Sequence, residues 1–361
     1  AAAVTDPNEL SGVFEGNGNI VSFNEFRYFI GLTELPFFAF KGCVKLREIT
    51  LPESLEDLGH QTFYDCRALE SIVIPALVTD TGSCFYNCIS LTDVILPNSI
   101  KTIGGECFYG CEKLSKIYLP DSITAIRYDA FRYSGLTEIS IPNAVTEIGS
   151  STFSNCKSLE KVEFGANVKT IGSSAFAYCT KLSSVTILAS VREINNSAFS
   201  NSGLSNITIE YGVQKLGSRV FYNCDNLTSV TLPNSVYEIG QDMFGYCDAL
   251  TMVQLSDNIT NIPYWTFAYC NNLKEIIKLE INKFENKLNE IGYLVRYDND
   301  VVNYIYSLIK DEKEYGARPI MRAIQDTIED MVTDALLEND YEKGHTFTIS
   351  YVTDSCKIAI V

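Results

Sequence analysis

The sequence predicts a β-rich repeat solenoid, with rungs of 22–23 residues stacked on a curved parallel sheet, followed by a small α+β domain. Three observations carry this. Phenylalanine recurs at Phe40, Phe63, Phe85, Phe108, Phe131, Phe153, Phe176, Phe199, Phe221, Phe244 and Phe267, so every step is 22 or 23 residues. Between these anchors the apolar residues keep fixed offsets, as in Leu114, Ile117, Leu119, Ile123, Ile126 and Phe131. A period of that length marks stacked units that each bury a neighbour's face. Past Leu273 the pattern gives way to apolar residues at helical spacing.

Within each rung the two-residue step of Leu-x-x-Ile-x-Leu suits a short strand with one buried face. Such strands are expected near 46–51, 69–74, 91–96, 114–119, 136–141, 159–164, 182–187, 204–209, 227–232 and 250–255. Pro52, Pro75, Pro97, Pro120, Pro142 and Pro233 follow directly. Lacking an N–H, proline ends the ladder there. Gly59, Gly82, Gly104, Gly149, Gly172, Gly217 and Gly240 stand where the chain turns, a position read as tolerating left-handed backbone. The copies at Ser134-Gly135-Leu136 and Ser202-Gly203-Leu204 are shorter by one residue and keep the apolar register.

Written as a consensus, F-x-x-C-x-x-L-x-x-I-x-L-P-x-S-V-x-x-I-G resembles the leucine-rich repeats of the BspA-like family over about residues 20–277. The resemblance implies a leucine-rich-repeat solenoid that binds other proteins, often on bacterial or protozoan cell surfaces. A surface adhesin is one role it suggests.

With 361 residues, 46% of them hydrophobic, the chain can bury a large core, and no apolar run reaches the ~18–20 residues a membrane span needs. A net charge of −17 argues against nucleic acid, whose binding leans on clustered Lys and Arg. Nine of the 12 cysteines share one slot per rung: Cys43, Cys66, Cys88, Cys111, Cys156, Cys179, Cys224, Cys247 and Cys270. They read as a buried ladder of small, weakly hydrogen-bonding side chains, with Ser134 and Ser202 filling the slot in the short copies. Cys84-x-x-x-Cys88 and Cys107-x-x-x-Cys111 imitate a four-thiolate zinc spacing. However, Cys84 and Cys107 precede the anchoring Phe where other copies carry Ala39, Ala130, Ala175 and Ala198, so packing is the reading, with no metal, disulfide or cofactor.

Residues 1–40 read as an N-terminal segment and capping rung, in which Phe23, Phe26, Tyr28 and Phe29 plug the open end of the core. Residues 41–277 form the solenoid. On its strands, one outward row runs Thr50, Val73, Ile95, Tyr118, Ser140, Glu163, Thr186, Thr208, Thr231 and Gln254. Two residues earlier runs Glu48, Ser71, Asp93, Lys116, Glu138, Lys161, Ser184, Asn206, Ser229 and Met252. These rows are expected to line one continuous face, the concave one in most solenoids and the usual place for partners. Val73, Ile95 and Tyr118 make an apolar step rimmed by Asp93 and Lys116, with Glu138 and Glu163 beyond, and are the candidate partner-binding residues for a protein or a glycan. Against that, β-branched residues are common on any strand. Tyr64, Tyr86, Tyr109, Tyr133, Tyr178, Tyr222, Tyr246 and Tyr269 follow the anchors by one or two places and suggest a stacked outer edge, packed over the turns.

Residues 278–361 differ in kind. Helical spacing over 274–292, 299–310 and 318–337 predicts three helices, and alternation over 345–352 and 356–361 predicts a closing hairpin. The run Tyr315-Gly316-Ala317-Arg318-Pro319-Ile320-Met321-Arg322-Ala323-Ile324-Gln325 resembles the C-terminal small subdomain of Clp-type AAA+ unfoldases, over about residues 275–361. That resemblance implies a nucleotide-sensing role for Arg318 and packing against a neighbouring ring subunit. The family's G-x-x-x-x-G-K-[S/T] is absent from this sequence, so no phosphate cradle accompanies Arg318.

With only His60 and His345, far apart in the chain, and no nucleophile motif beside either, the sequence predicts no enzyme. It predicts a non-catalytic interaction solenoid. The alternative is an adaptor that docks on a Clp-type ATPase ring through its C-terminal domain and presents substrate. The thiol ladder and the Clp-like tail point to the cytoplasm. The chain opens on Ala1, and a signal sequence ahead of it would move the expectation to the cell surface.

Overall fold

The computed structural model describes residues 5–259, 262–263, 265–270, 274–309, 322–339, 341–352 and 357–360. Over the first three blocks the chain coils as a parallel β-solenoid, and all eleven anchoring phenylalanines are buried with under 2% of their surface exposed. Their rings stack face to face from Phe40 to Phe267, with centroids 5.2–6.0 Å apart and planes within 2–14° of parallel. The leucines, isoleucines and valines of each rung, with a cysteine in most of them, fill the space around that column.

Two hydrogen-bonded columns form on the walls of the coil. The expected strands appear at Glu48–Ile49, Ser71–Val73, Asp93–Ile95, Glu138–Ser140, Lys161–Glu163, Ser184–Ile187, Asn206–Ile209, Ser229–Thr231 and Met252–Gln254, shorter than anticipated. No strand forms over 114–119. Nor is this wall one continuous ladder: Ser71–Val73 pairs with Asp93–Ile95, Glu138–Ser140 with Lys161–Glu163, and so on two by two. These strands are only two to four residues long, too short to hold an unbroken ladder, and prolines such as Pro75, Pro97, Pro142 and Pro233 close several of them. The continuous sheet lies one corner further on. Seven two-residue strands, from Thr102–Ile103 through Ala125–Ile126, Glu147–Ile148, Thr170–Ile171, Glu193–Ile194 and Lys215–Leu216 to Glu238–Ile239, pair in parallel in chain order. Between the two walls each prolyl carbonyl accepts the N–H three residues on, as Val145 to Pro142 at 3.1 Å and Ile123 to Pro120 at 3.0 Å, closing a tight turn.

The corner holding the phenylalanine is itself a ladder. The N–H of Phe131 donates to Thr152, that of Phe153 to Ala175 and that of Phe176 to Ala198, each reaching the next rung at 2.7–2.9 Å. The residue two places after each Phe does the same, as Tyr133 to Ser154 and Asn155 to Ala177. The residues two before and two after the Phe are left-handed in nearly every rung, among them Asp129, Tyr133, Ser151, Asn155, Ser174 and Tyr178 at φ 52–61°. That backbone disfavours side chains, and the bonds to the next rung hold it in place. The recurring glycines serve another purpose than expected. Gly59 and Gly82 are left-handed, but Gly104, Gly149, Gly172, Gly217 and Gly240 are not. They are glycine because the rungs come too close: a Cβ on Gly104 would lie 2.1 Å from the Gly82 carbonyl oxygen, and one on Gly240 2.2 Å from the Ser218 nitrogen.

Both ends of the stack are covered. At the N-terminal end Phe14 adds a further ring, 5.1 Å from Phe40 and 7° from parallel, while Phe26 is buried edge-on to Phe40. Ser22–Phe23 pairs in parallel with Glu48–Ile49 and so supplies a first strand. Of the four expected cap aromatics Tyr28 is exposed, with the Arg27 guanidinium over its ring. At the other end the helix Lys274–Ile291 packs on Met252–Gln254, and its Ile277, Ile281, Phe284 and Leu288 join the same core. The helices Asn299–Ile309 and 322–338 follow, the latter with a π turn over Gln325–Glu329. The hairpin Thr346–Val352 with Lys357–Ile360 is present, and Leu294–Tyr297 adds a parallel strand that the sequence reading missed.

Because each ring of the stack touches two neighbours and little room exists to relax, Phe153→Ala should cost about 3–5 kcal/mol. Urea unfolding followed by circular dichroism should show the midpoint fall by that equivalent, whereas Phe14→Ala, a half-buried end ring, should lower it less.

Candidate partner-binding face

The exposed rows of the first wall hold the candidate residues. Val73, Ile95 and Tyr118 are 56%, 61% and 73% exposed, unusual for large apolar side chains on successive rungs. Val73 and Ile95 face each other in register across a parallel pair. Tyr118 stands on the rung where no strand forms, and a cleft of about 400 Å³ opens between it and the next rung. That cleft is lined by Lys116, Tyr118, Asp121, Glu138, Ser140 and Asn143 among others.

The charged rim is ordered by its own pairs. Lys116 Nζ lies 2.7 Å from Glu138 Oε1, and Lys161 Nζ 2.5 Å from Glu163 Oε1. The Ser140 hydroxyl donates to Glu163 Oε2 at 2.8 Å. Hydrogen bonding from Lys116 holds the Glu138 carboxyl below the ordinary carboxylate range, and bonds from Lys161 and Ser140 do the same for Glu163. Asp93 instead accepts the Thr92 hydroxyl at 2.6 Å. An apolar strip thus meets a band of alternating charge. Arg318 lies outside the described residues. His60 is exposed in a corner, its ring edge-on to Phe37, and His345 stacks on Tyr341, so the two histidines sit in separate parts of the chain.

The cysteine slot has a specific job. Each thiol donates to the carbonyl of the anchoring Phe one rung back: Cys66 to Phe40 at 3.1 Å, Cys88 to Phe63 at 3.2 Å, Cys156 to Phe131 at 3.0 Å, Cys179 to Phe153 at 3.1 Å and Cys247 to Phe221 at 3.0 Å. Cys43 caps Phe14 in the same way, a pair that repeat spacing does not signal because Phe14 lies outside the period. Ser134 and Ser202 bond to Cys156 and Cys224 in the next rung. Cys84 donates to Gly59 at 3.1 Å, apart from the column of Cys88 and Cys111. Among the described residues no group of three His, Cys, Asp or Glu is placed to hold a metal ion. The tyrosine edge forms in two runs, Tyr64, Tyr86 and Tyr109 with centroids 4.5–4.6 Å apart and Tyr246 on Tyr269 at 4.3 Å, so ring faces cover one another.

Fold and surface together define a leucine-rich-repeat solenoid with a helical cap. The model for the BspA type leucine rich repeat region matches residues 13–134, 81–205 and 192–300, and the chain belongs to that family. The model for the C-terminal, D2-small domain of ClpB matches residues 270–349. In that region the chain is 37% identical over 92 residues to the chaperone protein ClpB of Malacoplasma penetrans, which is 24% of this chain and 12% of that one. The chain therefore spans about an eighth of that relative's length. A leucine-rich repeat protein from Bacteroides ovatus is 29% identical, with 61% of this chain and 69% of that one covered and a TM-score of 0.49. A leucine rich cell surface protein from Faecalibacterium prausnitzii is 23% identical, with 67% and 86% covered and a TM-score of 0.41. Among the described residues no helix is long and apolar enough to cross a membrane.

Burial pushes the thiols up, Cys43 and Cys224 to about 11 and Cys107, Cys156 and Cys270 to about 12. The unfolded chain loses these protons from about pH 8.5 while the folded chain keeps them, so stability is full below that pH and falls as it rises toward 11–12. Each such thiol removes up to about 1.4 kcal/mol per pH unit in this window. Urea midpoints measured from pH 7 to 10.5 should fall steeply above about pH 9, and iodoacetamide at pH 8 should label these thiols only after urea is added.

Proposed function

We propose that the chain is a non-catalytic interaction solenoid whose first wall engages a protein partner through Val73, Ile95 and Tyr118, with Asp93, Lys116, Glu138 and Glu163 setting orientation. The observation that carries this is the exposure of three large apolar side chains on adjacent rungs beside a paired charge band. Apolar anchors supply affinity and rim charges supply register. The wall is rigid because it stands on the buried phenylalanine column, so binding orders little new chain. In this reading residues 1–40 cap, 41–277 present the surface and 278–361 form a Clp-like C-terminal small domain. The double substitution Ile95→Asp with Tyr118→Ala should reduce recovery of the captured protein at least about tenfold, the loss of one anchor's contribution. Its melting temperature should stay near that of the wild type. Equal recovery by both proteins moves the contact off this wall.

A second reading rests on the match to the ClpB D2-small domain. In it the C-terminal domain docks on a Clp-type ATPase ring and the solenoid presents cargo. Size-exclusion chromatography of the full chain with ClpB or ClpC should then show co-elution, together with a change in ATP turnover by the ring. Separate elution with unchanged turnover removes this role.

A further inference from the structure

At the start of the continuous second sheet, on the other wall from the proposed partner strip, lies a cleft of about 430 Å³. It opens because two successive corners carry almost no side chain. Gly82-Ser83 and Gly105 form its floor, and the Ser83 hydroxyl is turned down onto the Gly105 carbonyl at 2.6 Å. Aromatic rings stand at either end. Phe37, 67% exposed, meets the exposed His60 edge-on at 5.9 Å on one side. On the other, Tyr128 lies flat on Gly105, so close that a Cβ there would fall 2.7–3.1 Å from its ring carbons. Between them Asp57 and Asp80 each accept a glycine N–H through Oδ1 at 2.8 Å, and Arg127 reaches across two rungs to 3.9 Å from Asp80 Oδ2.

We propose that this cleft binds a saccharide, one or two pyranose rings held between Tyr128 and the Phe37–His60 pair. The volume falls in the lower part of the ~300–1,000 Å³ range of small-ligand clefts. The polar groups select the class. An anion meets the carboxylates of Glu56, Asp57 and Asp80, and a cation meets Arg127, already 3.9 Å from Asp80 Oδ2. A polyol suits both, because its hydroxyls donate to the carboxylates and accept from the guanidinium without burying a net charge. Aromatic faces then cover the C–H faces of the sugar ring. The stacked tyrosines elsewhere cannot serve this way, since their faces are spent on one another.

The test is saturation-transfer difference NMR on the full chain with glucose, galactose, mannose, N-acetylglucosamine, N-acetylgalactosamine and lactose. At least one sugar should receive saturation from the wild type. Gly105→Ala, which displaces the Tyr128 ring without straining the backbone, and Asp80→Asn, which keeps the shape, should each weaken that binding about tenfold. Circular dichroism melts should show both variants folded. Ile95→Asp with Tyr118→Ala should leave it unchanged, so failure here and failure of the partner strip are told apart. No transfer to any of the six sugars, transfer insensitive to both cleft substitutions, or binding of N-acetylarginine amide in their place would overturn the proposal.

Discussion

The structure depends on one contact repeated along its length, the face of one buried phenylalanine against the next. A stack spaced 5.2–6.0 Å apart fixes how far each coil rises, and that rise brings the short strands into pairing distance. Neither wall could form by itself. Strands of two to four residues nucleate poorly, and the left-handed residues flanking each Phe would relax without the bonds to the next rung. The thiol ladder completes the same corner, because a phenylalanine carbonyl pointing into the core has no water to bond. Each cysteine therefore satisfies the coil before its own, so that neighbours are tied by packing and by polarity at the same point.

The rigid column sets what the first wall can present. Side chains on the first wall stand at fixed spacing on a backbone that cannot adjust, and what varies from rung to rung is only their identity. Val73 and Ile95 then differ from Thr186, Thr208 and Thr231 chiefly in composition, all of them on paired strands of the same wall. Charged residues on this wall answer one another across rungs, as Lys116 does Glu138, so a net charge of −17 does not become local repulsion there.

Much of the fold was legible because it is written in large, regularly spaced apolar residues. Phe40 to Phe267, the leucines and the cysteine slot all fell where their spacing placed them. The second sheet escaped because two residues such as Glu147–Ile148 cannot show an alternation. The glycines misled for a related reason: Gly104 signals either a left-handed turn or a close approach, and only the neighbouring coil says which. Leu294–Tyr297 was hidden between two helices, its partner Thr346–Val352 some fifty residues away. The cleft was illegible throughout, since Phe37, His60, Asp80 and Tyr128 come together only through stacking, and each looks ordinary in its own rung.

The direction of the inter-coil bonds has a mechanical meaning. They run along the axis of the solenoid, from one coil to the next, so a pull between the two ends loads the coils in series. The strands of a sandwich, sheared side by side, share such a load. Here tension peels a single coil at a time from whichever end loses its cap, and the remainder stays wound, giving an extensible tether about 22 or 23 residues per step.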